Sequence, residues 1–382
     1  MSDKGRVWPD ESRRMTDEAT GATVWQITSH PSISHGLYFL TDSFLPDERS
    51  LVFAGLRTGT ANFFRAGFPA GEITQLTDSP GINSFSAVLS ADGRTLYFTR
   101  DSAIVALDLA GLEERVLADF PGGKLGEVDL SADGAWIVSA IRLGDGHGIA
   151  VASARGTGGS IIHRQARTII HPQFHPTDPT LIEYAADPAP RMHLIRRDGS
   201  DNRCLYRHDN DEFVVHETWL GDTGDLVFTV WPKALKRMRL PEGRIEPIAE
   251  FNAWHICPSR DGRYVICDTN HPDVGIQVVE VATGARRTLC HPRSSNGGSQ
   301  WKKSRYALRE DFEAAARAGS GDVSKELSWM EMKTDTVYGP QWSHPHPALS
   351  RSGRLATFTS DRTGWPQVYV VECGLPAFRS VA

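Results

Sequence analysis

Cysteine is scarce in this chain. Its five cysteines, Cys204, Cys257, Cys267, Cys290 and Cys373, are odd in number and scattered, and none stand at CxxC spacing. This excludes a disulfide scaffold and a zinc knuckle, and it fits a reduced, cytoplasmic protein. No apolar run approaches the ~20 residues that a helix needs to cross a bilayer. The opening residues, MSDKGRVWPDESRRMTDE, lack the apolar stretch of a secretory signal. Basic charge is not in excess either: the net charge of −6 argues against a nucleic-acid surface. No GxSxG elbow follows the strand-rich region, which removes a serine peptidase of the propeller-linked kind. Nor does a pair of carboxylates stand out as the machinery of a hydrolase.

What the chain does contain is a repeat. An apolar residue, a short polar turn and an alternating apolar strand recur as FLPDERSLVFAG, LSADGRTLYFTR, LSADGAWIVSA, FHPTDPTLIEY, LGDTGDLVFTV, PSRDGRYVICD and LSRSGRLATFT. The turn residues Asp47, Asp92, Asp133, Thr177, Asp222, Asp261 and Ser352 mark them, at successive gaps of 45, 41, 44, 45, 39 and 91. A period of this length with Asp/Gly hairpins is that of four-stranded propeller blades. The last repeat stops after its third strand, PQVYVVE, whereas ATGATVWQITS near the start is a strand without its first three partners. The fold expected is therefore all-β: a single seven-bladed β-propeller over residues 1–382, closed by an N-terminal strand that removes a free edge. The long final gap holds an insertion over 292–336. Its segment SRYALREDFEAAARAG has helical spacing with Gly319 as the stop. The simplest placement for that helix is on the outside of the propeller, with a lid as the alternative.

Equivalent positions of the innermost strands converge on a propeller's channel. Six residues before each turn marker stand Thr41, Ser86, Glu127, His171, His216, His255 and His346. All are polar, and four are histidine in a chain with 14. His344 precedes His346 by two residues, so on an extended strand both rings face one side. Gln341 lies just upstream. Taken alone, His171 reads as a hydrogen-bonded histidine and the 341–346 stretch as a polar turn. Adding His255 at matched register favours a metal site of three imidazoles and an amide oxygen. Such donors suit manganese, zinc, iron or nickel better than calcium. His216 is followed by Glu217, but HETWL lacks the second histidine of a zinc-protease helix.

These features resemble the oligogalacturonate lyase family, seven-bladed, manganese-dependent enzymes of pectin degradation. The resemblance spans nearly the whole chain and is carried by QWSHPHP, AWHICPSRDG, VVHETW and PRMHLIRRDG. It implies a divalent metal, Mn2+, held by His255, Gln341, His344 and His346. It also implies His216 as the catalytic base, Arg191 as the substrate-binding arginine of the catalytic set, and an acidic oligosaccharide as substrate, with His171 expected beside it. The register count selects His216, His255 and His346 independently. Two segments depart from the family pattern, IRLGDGHGIAVASARGTGGS and EYAADPAPR, and so does the helical insertion. The alternatives to a β-eliminating lyase are a non-enzymatic TolB-like interaction propeller and a metal-dependent uronate isomerase or epimerase.

Overall fold

The SADGR-type segments of the second, third and sixth blades close the inner hairpin through one repeated set of hydrogen bonds. The Ser90 hydroxyl donates to Asp92 at 2.6 Å, Ser131 to Asp133 at 2.6 Å and Ser259 to Asp261 at 2.7 Å. In the same three turns the amides of Thr95, Trp136 and Tyr264 each donate to that serine oxygen at 2.9 Å. The glycine that follows each aspartate has φ of +66° to +68°, a conformation that only glycine adopts without strain. Local chemistry alone thus specifies these reversals, which is why they were readable.

The structure, a computed structural model, describes residues 2–303, 305, 307–317 and 335–375. Among these residues the strands form seven antiparallel sheets, the expected seven-bladed propeller. The fourth blade runs outward as Thr168–Phe174, Leu181–Asp187, Met192–Arg196 and Arg203–Cys204. The fifth and sixth begin with Val214–Trp219 and Ala253–Pro258. Apolar residues from neighbouring blades pack face to face: Val138 and Ile149 of the third blade meet Ile182, Tyr184 and Ile195 of the fourth. Both faces of each blade are buried this way, so the core is a ring of inter-blade layers. Among the described residues no helix is long and apolar enough to cross a membrane.

Closure is as expected. Thr23–Gln26 is the fourth strand of the last blade, with Val24 opposite Val371 and Trp25 opposite Val370 on Gln367–Glu372. Two further strands precede it. Arg13–Thr16 adds a fifth strand to the same blade, and Val7–Trp8 adds a fifth to the first blade, Val7 pairing with Thr74. The sequence hides both because they are short and largely exposed, without the alternation that burying one face imposes. They clasp two adjacent blades.

The insertion differs from the expectation of a helix on the outside. A helix forms at Arg309–Arg317 as read, although its Gly319 stop lies outside the described residues. Phe312 of this helix is fully buried, 6.0 Å from the Tyr338 ring. Trp301 of the same insertion seats against Trp254 at 4.5 Å and Trp231 at 5.7 Å, at the mouth of the channel. Topology requires this placement. The connection leads from the outermost strand of the sixth blade to the innermost strand of the seventh, and so crosses the end where the inner strands begin. Trp301→Ala is expected to destabilise the packed insertion by about 3 kcal/mol. Proteolysis within 303–317 should then become faster, and an unchanged cleavage rate would disprove the anchoring.

Candidate functional site

The register-matched histidines sit on distortions of the inner strands. In blades three to six the pairing register shifts between Leu125 and Val128, Ile170 and Gln173, Val215 and Thr218, and Ala253 and Ile256. Each shift sets two residues of the inner strand opposite one of its partner, which is a β-bulge. Glu127, His171, His216 and His255 lie within these bulges. His171, His216 and His346 have φ of 51°, 54° and 45°. A non-glycine residue rarely adopts the left-handed region, and holding one there costs roughly 1–3 kcal/mol. Three such residues at one register position indicate that the packing of the ring fixes them. The strain re-aims imidazoles that regular alternation would turn elsewhere.

Ring closure brings His255 of the sixth blade to His344 and His346 ahead of the seventh. One ring nitrogen of each lies within 4.8 Å of the other two, and all three residues are buried. The His255 and His346 ring centroids are 3.9 Å apart. Partners of the remaining ring atoms decide which nitrogens are available. His255 Nδ1 lies 2.8 Å from Asp268 Oδ2, which leaves Nε2. His344 Nε2 lies 2.8 Å from the Tyr338 carbonyl oxygen and therefore carries a proton, so its lone pair is on Nδ1. His344 Nδ1 and His346 Nε2 are buried without a hydrogen-bond partner. Burial pushes the pKa values of His255 and His346 well below the ordinary histidine range and lowers that of His344, so the rings are neutral, as ligands must be. Unpartnered lone pairs on neutral, converging imidazoles fit a divalent cation.

Around this cluster a pocket is lined by Arg191, His171, His216, Gln341, Tyr38 and Tyr338, among others. Six of the seven candidate residues thus line one pocket, and His346 adjoins it through His255. His216 is 4.6 Å from His255 between ring centroids, and burial holds its pKa well below the ordinary value. The Arg191 Nε donates to Glu217 Oε2 at 3.0 Å, and its Nη1 lies 3.8 Å from Asp187. This arginine is therefore held in place by carboxylates. Gln341 opens a short 3₁₀ turn, Gln341–Ser343, which leads directly to His344. His171 Nε2 is 2.9 Å from the Tyr38 hydroxyl, and burial sets the His171 pKa at about 3. Beneath the cluster lies Phe39, fully buried, 5.0 Å from His255 and stacked at 6.0 Å on His346.

The sequence reading missed four contributors: Asp268, Tyr38, Trp254 and Tyr338. Trp254 meets His216 edge-on at 4.4 Å, and Trp301 meets His344 at 5.7 Å, so an aromatic wall separates the imidazoles from solvent. Asp268 had a visible signal, an acidic residue in the middle of the apolar strand YVICDT. A charge at a core position is rare unless it has partners.

Comparison with known proteins finds relatives that span nearly the whole chain. Residues 3–140 match the family model described as oligogalacturonate lyase. The chain is 21% identical to the oligogalacturonide lyase of Pectobacterium atrosepticum, over 97% of this chain and 98% of the other. It is 22% identical to the oligogalacturonate lyase of Dickeya dadantii at the same coverage. A solved oligogalacturonate lyase in complex with manganese superposes with a TM-score of 0.79 at 20% identity, covering 98% of each chain. The site histidines lie beyond residue 140, and the full-length relatives extend the likeness across them.

Proposed function

We propose that this relative of the oligogalacturonate lyases is itself a carbon–oxygen lyase, cleaving short uronate oligosaccharides by β-elimination. The observation that carries the reading is the convergence of three neutral imidazoles, two of them with buried unpartnered nitrogens, beside a fourth, His216, at one pocket. His255, His344 and His346, with the Gln341 amide oxygen, would hold the cation, and manganese is the ion of the related structure. When bound there, a divalent cation supplies Lewis-acid stabilisation to the charge that develops on a uronate carboxylate.

The chain's own residues do the rest. His216, neutral because it is buried, takes the C5 proton as general base. The C5–H electron pair becomes the C4–C5 double bond, and the C4–O bond breaks with its electrons leaving on oxygen. Arg191 receives a uronate carboxylate, its guanidinium orientation fixed by Glu217. His171 and Tyr38, which line the same pocket, would contact the sugar. Phe39 and Trp254 keep water from the rings, which strengthens each of these interactions. No water is consumed.

The reaction is tested by mixing the protein, manganese and digalacturonate and following ultraviolet absorbance. A conjugated unsaturated uronate should accumulate. An unchanged absorbance with every acidic oligosaccharide and divalent metal offered would remove the lyase reading. A saturated, inverted product would replace it with an epimerase.

A further inference from the structure

Asp268 stands on the second strand of blade six, Tyr264–Thr269, opposite the two-residue bulge that contains His255. It is fully buried, and its two oxygens meet three N–H groups. Oδ1 accepts from the His255 amide at 2.8 Å. Oδ2 lies 2.8 Å from His255 Nδ1 and accepts from the His346 amide at 3.2 Å. One carboxylate thus holds a side chain of blade six and the backbone of a residue leading into blade seven, 78 positions further along the chain.

We propose that Asp268 is the positioning residue that assembles the cation site, by fixing which nitrogen of His255 is available and by seating His346 beside it. This rests on the metal reading above. A carboxylate can only accept, so Nδ1 of His255 carries the proton and its lone pair is on Nε2. Hydrogen bonds of this kind orient a ligating ring and set its tautomer. Asparagine, of nearly the same shape, cannot reproduce the pattern. With its amide nitrogen at the Oδ2 position, Nδ1 must accept, Nε2 becomes protonated, and the ring offers no lone pair to a cation. The His346 amide then faces a donor as well. With the amide flipped, two donors oppose each other at the His255 backbone.

The test uses metal-free protein at pH 8. Manganese affinity is measured by calorimetry, and histidine tautomers by ring 15N chemical shifts. The His255 signal is identified by its loss in His255→Gln. In the unsubstituted protein His255 should show the Nδ1–H tautomer. Asp268→Asn should shift it to Nε2–H and weaken manganese binding by about 10- to 100-fold. A folded Asp268→Asn protein that binds manganese as tightly as its parent would overturn the role of Asp268. An Nε2–H tautomer in the unsubstituted protein would overturn it even if the variant fails to fold. Absence of manganese binding by the unsubstituted protein would instead overturn the metal reading itself.

Discussion

His216→Ala is expected to keep its affinity for manganese and lose about 10²- to 10⁴-fold in kcat, the usual contribution of a positioned general base. Affinity should persist because the imidazoles whose nitrogens converge within 4.8 Å are those of His255, His344 and His346, and His255 is held by Asp268. Turnover should fall because His216 lines the pocket 4.6 Å from His255 without belonging to this cluster. Calorimetry and steady-state kinetics on one preparation separate the two effects. Full activity in His216→Ala would transfer the proton abstraction to another residue, with His171 the next candidate on the wall.

His344→Ala should behave differently, losing metal and turnover together. His344 contributes a lone pair on Nδ1 because the Tyr338 carbonyl occupies its other nitrogen. The Trp301 ring stands 5.7 Å from the His344 ring, edge-on. Removal of a direct ligand should weaken manganese binding by more than the roughly 10- to 100-fold typical of losing a supporting partner. Activity should return only at metal concentrations raised by a similar factor. If His344→Ala bound manganese as its parent does, the cation would lie elsewhere in the pocket. A change in kcat without a change in affinity would make His344 a contact for substrate instead.

Much of the fold is legible in the sequence because turns are local. Ser90 with Asp92, and Ser259 with Asp261, write each reversal into three or four consecutive residues. The histidines were legible because seven equivalent positions could be compared, and Thr41 or Ser86 at the same register showed how unusual four imidazoles are. What escaped is what depends on another segment. Val7–Trp8 and Arg13–Thr16 are strands only because Ile73–Gln75 and Thr23–Gln26 present open edges to them. Trp301 could not be placed over the channel from its helical surroundings, although the blade-to-blade connection required that crossing. Arg191 carried no register signal, because it lies in the connection between Leu181–Asp187 and Met192–Arg196, outside the inner strand. Its carboxylate partner Glu217 was in view, but was considered only as half of a zinc-protease motif.

The ring closes between segments made at opposite ends of synthesis. Gln26 pairs with Tyr369, so at about 5–20 residues per second the early strand waits on the ribosome roughly 20–70 s for its partner. His255 and Asp268 leave together within one blade and settle against each other, while His344 and His346 follow long afterwards. The half of the proposed cation site formed by His255 and Asp268 thus precedes the other half by 76 to 78 residues, about 4–16 s at that rate. On the proposed reading, loading with metal follows the emergence of both segments.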